Sequence, residues 1–175
     1  MREILIKYLL TFISALALPS AAFCYTDGRL MRCEPFRGPA VKILKENGLP
    51  DRFYFLMVAE SGCRSPDVTS KKGAVGFWQL MPATARANGC DNPEDFECAT
   101  RAASRYLRHL LDEFHGDLLW TVAAYNAGGS NLKKATGYHK GMDFSIVKTK
   151  RPAAYALALT VQRMEAEYGE RTARE

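Results

Sequence analysis

Hydrophobic and polar positions repeat with the helical period over most of the chain, which predicts a mainly α fold. The clearest amphipathic stripe lies within residues 99–115. Its apolar face is formed by Ala103, Tyr106, Leu107, Leu110 and Phe114. The next segment, LLWTVAAYNA at residues 118–127, is apolar nearly all round, so we predict that it forms the buried centre of the domain, capped by Asp117.

Shorter helices are predicted over residues 39–47, from Asp51 to Glu60, and over residues 82–88. A Gly-rich break and a basic loop precede the last predicted helix, which begins at Pro152. Residues 64–80 lack a helical period and contain one proline and two glycines, so they predict loops or a small β-hairpin.

The first residues have the layout of a secretory signal peptide. A basic start is followed by an apolar run from Tyr8 to Leu18, by Pro19, and by small residues. We predict a signal peptide over residues 1–24, cleaved after Ala22 or after Cys24, and therefore an exported, periplasmic protein. The alternative is an N-terminal anchor helix that is never cleaved.

Composition fits one globular domain over residues 25–168, followed by a flexible tail over residues 169–175. The 175 residues are 47% hydrophobic and 25% charged, which excludes a disordered or fibrous chain. A net charge of +5 suits an acidic polymer as partner. Lys and Arg are scattered rather than interleaved with aromatic residues, so nucleic acid is not indicated. We expect a monomer with no stable membrane span after signal cleavage.

Five cysteines have no metal-ligand spacing, and in an oxidising compartment disulfides are the default. Cys90 and Cys98 bracket a short acidic loop and are the favoured pair. Cleavage after Cys24 leaves four cysteines and makes Cys33–Cys63 the natural second bridge, although a free buried Cys63 is the alternative. No metal or cofactor is expected.

Glu60 is the main catalytic candidate. Phe53, Leu56, Met57 and Glu60 follow the spacing i, i+3, i+4, i+7, so the carboxyl group shares a helix face with three large apolar side chains. An apolar environment raises the pKa of a carboxyl group and lets it donate a proton near neutral pH. The alternative is a glutamate at the helix end that turns toward solvent.

Three sequence stretches support the catalytic interpretation. They are Glu60-Ser61, the stretch SKKGAVGFWQLMPATA at residues 70–85, and AAYNAG at residues 123–128. Together they resemble the lytic transglycosylase domain of the soluble type, which has a lysozyme-like fold, and are most similar to the branch that contains membrane-bound lytic transglycosylase D. The resemblance covers residues 40–165.

This resemblance implies cleavage of the β-1,4 bond between N-acetylmuramic acid and N-acetylglucosamine in peptidoglycan, without water. Glu60 then protonates the glycosidic oxygen and acts as a base toward the C6 hydroxyl, which closes a 1,6-anhydro ring. The small size of the protein and the analogy with stand-alone domains of this family also suggest that it opens the cell wall for a secretion, conjugation or pilus machine.

The same resemblance implies a set of substrate-binding residues. They are Ser70, Gln79, Tyr125, Asn126 and Tyr155. Independently of the resemblance, Trp78 is a further candidate, because aromatic rings stack on sugar faces in carbohydrate sites. For Trp78 and Tyr155, packing in the core is an alternative to contact with sugar.

Two other functions stay open. Asp67 is the only candidate for a second carboxylate, and its presence in the cleft would favour a hydrolytic, lysozyme-like muramidase. A non-catalytic peptidoglycan-binding assembly protein is the other alternative, although it would not need Glu60.

Overall fold

The computed structural model describes residues 28–173, and the predicted signal peptide lies outside these residues. The described part is mainly helical, as the sequence predicts. Its helices are α1 (Gly28–Glu46), a 3-10 turn (Asp51–Phe53), α2 (Tyr54–Ser61), α3 (Pro82–Ala87), α4 (Phe96–Glu113), α5 (Leu118–Ala127), α6 (Gly129–Thr136), α7 (Ser145–Lys150) and α8 (Pro152–Thr172).

Helix α5 forms the centre of the fold and packs against α4, α6 and α8. Its residues from Trp120 to Tyr125 are all buried, because the helix presents apolar side chains on every side. The Asp117 carboxylate caps the helix by accepting a hydrogen bond from the Trp120 backbone N–H at 3.1 Å. Both the predicted cap and the central position are confirmed.

Helix α4 buries the predicted stripe and exposes its arginines. Asp95 caps the helix by accepting a hydrogen bond from the Cys98 N–H at 2.7 Å, so α4 begins a few residues before the predicted start. Leu107, Leu110 and Phe114 are almost completely buried. On the opposite face, Arg101 forms ion pairs with glutamates of α1 and α4.

Helix α1 begins at Gly28, well before the start at Pro39 that the sequence predicts, and contains both Pro35 and Pro39. A proline inside a helix removes a backbone hydrogen bond, so its sequence signal is that of a boundary. Here tertiary contacts outweigh that loss. The first turns bury Leu30, and the Cys33 sulfur is bonded to Cys63, at the C-terminal end of α2.

Residues 69–80 form the small β-hairpin that the sequence allows, with single bridges from Thr69 to Val75 and from Val75 to Leu80. Gly76 lies within this hairpin with φ +77°, and a Cβ at this position would lie 2.2 Å from the Pro93 backbone oxygen. Only glycine fits both the backbone conformation and this close approach.

Two short helices, α6 and α7, occupy the region predicted as a break and a basic loop. Each helix buries one large apolar side chain, Leu132 in α6 and Val147 in α7. A single apolar position in a helix does not repeat, so the sequence shows no amphipathic period there. Helix α8 begins at Pro152 as predicted. It extends to Thr172 and therefore includes part of the segment, residues 169–175, for which the sequence predicts a flexible tail.

Both expected disulfides are present. Cys33–Cys63 links α1 to the residue after Gly62, and Cys90–Cys98 closes the loop before α4. Within residues 28–173, no helix combines the length and apolar character needed to span a bilayer.

Candidate active site

Glu60 lies in the last turn of α2, a helix with six buried residues out of eight. The helix ends at Gly62, whose left-handed backbone lets its N–H bond the Val58 carbonyl at 2.9 Å. The Arg32 Nε donates to the Gly62 carbonyl at 3.0 Å, and the Cys33–Cys63 bridge follows at the next residue. The end of α2 that carries Glu60 is therefore attached to α1 by a covalent bond and a hydrogen bond.

Burial raises the pKa of the Glu60 carboxyl group from 4.5 to about 7. Within the described residues, no side chain forms an ion pair or a hydrogen bond with this carboxyl group that would oppose the loss of hydration. Desolvation therefore dominates, and the neutral form is favoured up to about pH 7. A group with this pKa can both donate and accept a proton near neutral pH.

The Glu60 side chain lines a cleft of about 560 Å³. This volume is typical of ligand sites. The hairpin, α3, α4 and α5 form most of its wall. The uncharged polar residues lining it are Ser70, Gln79, Thr84, Tyr106, Tyr125 and Asn126. Hydroxyl and amide groups around one protonated carboxyl suit a ligand rich in hydroxyl and acetamido groups.

Ser70 and Gln79 are the two uncharged polar residues of the hairpin that line the cleft. The Ser70 hydroxyl accepts a hydrogen bond from the Ala74 N–H at 3.0 Å. Gln79 has a left-handed backbone (φ 47°), and its side-chain Nε2 donates to the carbonyls of Val68 and Gly76 at 3.0 and 2.9 Å. Because both amide hydrogens are used, Gln79 offers the ligand its Oε1 acceptor.

Tyr125 fixes α5 to the hairpin. Its hydroxyl donates a hydrogen bond to the carbonyl of Trp78 at 2.8 Å, and Trp78 directly precedes Gln79 in the chain. Burial, and then the negative charge of Glu60, hold the Tyr125 pKa well above its usual value. The hydroxyl therefore stays protonated and can still accept one hydrogen bond from a ligand. The next residue, Asn126, is exposed in the cleft.

The geometry corrects the predicted sugar contact of Trp78 and leaves that of Tyr155 untested. Trp78 is completely buried, and its Nε1 donates to the Thr100 hydroxyl at 2.9 Å. Its ring faces are covered by the core, so Trp78 cannot stack on a sugar. Tyr155 is half-buried, and its ring stacks on Phe144 with centroids 5.3 Å apart. It does not line this cleft, and its contact with sugar stays a prediction.

Tyr106 is a cleft residue that the helical period assigns only to the apolar stripe of α4. Its ring centroid is 5.5 Å from that of Tyr125, and burial raises the pKa of its hydroxyl. The signal in the sequence is the residue type, because a tyrosine in an otherwise apolar stripe brings a hydroxyl that needs a polar neighbour or solvent.

Asp67 lies outside the cleft. It is exposed and accepts a hydrogen bond from the Ser65 hydroxyl in a surface turn. Among the described residues that line the cleft, Glu60 is the only carboxylic acid. Within residues 28–173 there is also no group of three or more His, Cys, Asp or Glu side chains that could hold a metal ion.

Known proteins match this chain in sequence and in fold. The family model "Transglycosylase SLT domain" matches residues 40–147. The membrane-bound lytic murein transglycosylase D of Escherichia coli K12 is 34% identical over 122 residues, which are 66% of this chain and 27% of that protein. The peptidoglycan transglycosylase gp16 of Escherichia phage T7 is 37% identical over 91 residues, which are 47% of this chain and 7% of that protein.

The crystal structure of an inactive mutant of lytic transglycosylase Slt from Pseudomonas aeruginosa has the same fold. It superposes with a TM-score of 0.67 at 22% identity, over 78% of this chain and 24% of that one. The chain thus spans about a quarter of the length of transglycosylase D and of Slt. Because the family model matches more than half of its residues, the chain belongs to the transglycosylase SLT domain family.

Proposed function

We propose that this protein is a peptidoglycan lytic transglycosylase. The observation that carries the proposal is one half-buried carboxyl group, Glu60, whose pKa is raised to about 7 in a cleft lined by hydroxyl and amide groups. Membership of the SLT family and similarity to peptidoglycan transglycosylases support the same reaction.

In the proposed reaction, Glu60 serves first as acid and then as base. The bond between the muramic C1 and the glycosidic oxygen breaks, and the oxygen takes the Glu60 proton as the leaving sugar departs. The muramic C6 oxygen then bonds to C1, and its proton returns to the Glu60 carboxylate. Because the proton is recovered and no water enters, a single group with a pKa near 7 serves both steps.

The surrounding residues have separate proposed roles. Ser70 and Asn126 supply polar groups at the cleft surface, and the Gln79 Oε1 accepts a hydrogen bond from a sugar hydroxyl or an acetamido N–H. Tyr125 positions the part of the hairpin that carries Gln79.

The position of Asp67 favours this mechanism over hydrolysis. A hydrolytic muramidase of the usual type needs a second carboxylate near the scissile bond. Asp67 lies in an exposed turn and is not among the cleft residues.

Mass spectrometry of the soluble products from purified peptidoglycan tests the proposal. The wild-type protein should release fragments ending in 1,6-anhydromuramic acid, and Glu60→Gln should release none. Glu94→Gln makes the same chemical change on an exposed residue and serves as the matched control.

Products heavier by one water would show hydrolysis and contradict the transglycosylase. A folded wild-type protein that binds peptidoglycan but releases nothing would instead favour the assembly protein.

We further propose export to the periplasm, where this substrate lies and where disulfides such as Cys33–Cys63 and Cys90–Cys98 persist. Intact mass of the protein from a periplasmic extract, before and after reduction, tests both points. A mass that retains residues 1–24, or free thiols at these four cysteines, would contradict the proposal. Service to a secretion, conjugation or pilus machine is a separate hypothesis, tested by co-purification.

A further inference from the structure

Two adjacent lysines lie at the tip of the hairpin that forms one wall of the cleft. Lys71 and Lys72 are the central residues of a β-turn closed by a hydrogen bond from the Gly73 N–H to the Ser70 carbonyl at 2.9 Å. The Ser70 N–H also donates to the Ala74 carbonyl at 2.8 Å, and the Ser70 hydroxyl accepts from the Ala74 N–H. These three bonds fix the backbone from which both lysines project.

The two lysines carry the net charge of the cleft. Both line the cleft, and among the described residues of its wall the other ionisable side chains are Glu60 and two tyrosines. Within the part of the chain that the structure describes, no carboxylate forms an ion pair with Lys71 or Lys72. Both are exposed, so their ammonium groups are available to a ligand.

If the substrate is peptidoglycan, as proposed, its chemistry determines which anionic groups can bind to these lysines. The amino sugars of a glycan strand are neutral where the lactyl group is joined to a peptide stem by an amide bond. The carboxylates of such a substrate then lie on the stem, beside the sugars that occupy the cleft.

We propose that Lys71 and Lys72 bind carboxylates of the peptide stem, so that the enzyme prefers glycan strands whose stems carry free carboxylates over strands whose stems are amidated. This inference rests on the proposed function. It assigns the lysines to specificity, while the neutral polar groups of the cleft contact the sugars.

The test uses two soluble tetrasaccharide fragments that differ only in the stem, with its carboxylates either free or amidated. The Lys71→Gln/Lys72→Gln double variant should lose roughly 3- to 10-fold in kcat/KM on the carboxylate fragment relative to the amidated one, as expected for two exposed ion pairs. Lys71→Arg/Lys72→Arg retains both charges and should keep the preference.

A matched control removes two lysines elsewhere. Lys42→Gln/Lys45→Gln makes the same change in net charge on exposed residues of α1, none of whose residues line the cleft, and should keep the wild-type ratio. An equal loss on both fragments, or an unchanged ratio in the Lys71→Gln/Lys72→Gln variant, would overturn the inference.

Binding measured by calorimetry separates this inference from the proposed reaction. In a Glu60→Gln background, the carboxylate fragment should bind more tightly than the amidated one, and the preference should disappear when both lysines become glutamine. If the wild-type enzyme cleaves neither fragment while this preference persists, the proposed reaction fails and the lysine assignment stands. If cleavage is normal and both fragments bind equally, the lysine assignment fails alone.

Discussion

At the scale of single residues, the chemistry depends on how poorly the Glu60 carboxylate is solvated. Its pKa rises because burial removes water from the charged form, and no described cation approaches closely enough to reverse the effect. Tyr125, whose pKa is raised in part by the Glu60 charge, contributes a neutral hydroxyl.

The first prediction concerns the pH dependence of catalysis. Because Glu60 must be protonated to act as the acid, kcat/KM should fall about tenfold per pH unit above a pKa near 7. Initial rates on a soluble glycan fragment between about pH 3 and pH 9 measure this limb and the plateau below it. A break near pH 4.5 instead would mean that Glu60 is solvated in the free enzyme.

The second prediction concerns stability. The unfolded chain loses the Glu60 proton near pH 4.5 but the folded protein loses it only near pH 7, so ionisation favours unfolding across this window. The free energy of unfolding should therefore fall between pH 4.5 and pH 7 by at most about 3 kcal/mol from this group. Below the window the loss is absent, and above it the loss is complete.

Glu60→Gln removes that titration, so the variant should be more stable than the wild type at pH 8 and nearly equal to it at pH 4. Urea unfolding at the two pH values measures the difference. Glu94→Gln, on an exposed residue, should follow the wild-type curve. Equal stability of Glu60→Gln and wild type at pH 8 would contradict the effect of burial.

At the scale of elements, the cleft wall depends on the bond between α5 and the hairpin. The Tyr125 hydroxyl meets the Trp78 carbonyl, and Gln79 follows with a left-handed backbone that a non-glycine residue adopts at a cost. The position of Gln79 therefore depends on a contact from another helix.

The third prediction is that Tyr125→Phe lowers kcat about tenfold or more and reduces stability by about 1–2 kcal/mol, because a buried carbonyl loses its donor. Tyr138→Phe is the matched control. It removes a similar hydroxyl-to-carbonyl bond, to Phe114 at 3.3 Å, outside the cleft, so stability should fall slightly and kcat should not. A purely structural role for Tyr125 would leave kcat unchanged in the folded variant.

The elements that the sequence predicts well are those whose own residues determine them. The stripe of α4 and the Asp117 cap of α5 are local signals, and both are present in the structure. The first turns of α1 depend instead on a disulfide partner 30 residues away. Helices α6 and α7 are too short to show a period, so distant packing decides them.

The same distinction applies to the candidate site. The apolar spacing before Glu60 correctly indicates a half-buried, poorly hydrated carboxyl group, because the spacing is a property of one helix. Whether Trp78 lies in the cleft or in the core depends on Thr100, 22 residues later, and Tyr155 likewise depends on Phe144. Sequence alone does not specify these contacts.

At the scale of the whole molecule, two covalent bridges limit how far the chain can expand when it unfolds. Cys33–Cys63 closes a loop with a sequence separation of 30, and Cys90–Cys98 closes one of 8. In the chain-entropy model, the longer loop contributes about 1 kcal/mol more than the shorter one.

The fourth prediction is that Cys33→Ser/Cys63→Ser lowers the free energy of unfolding by more than Cys90→Ser/Cys98→Ser. Urea titration of the two double variants and the wild type measures this difference. The loss of Cys33–Cys63 also frees the segment directly after Glu60, so it should reduce activity in the folded protein. A greater loss of stability from the shorter loop would contradict the entropic argument.

The close approach of Gly76 to the Pro93 backbone has a consequence for how this domain tolerates sequence change. The contact is made by the oxygen of Pro93 and not by its side chain, so it constrains the two positions unequally. In a saturation library, position 76 should accept glycine alone, whereas position 93 should accept many residue types that keep the path of the loop. The Cys90–Cys98 bridge spans that loop, so mutational tolerance at position 93 should narrow when the bridge is removed.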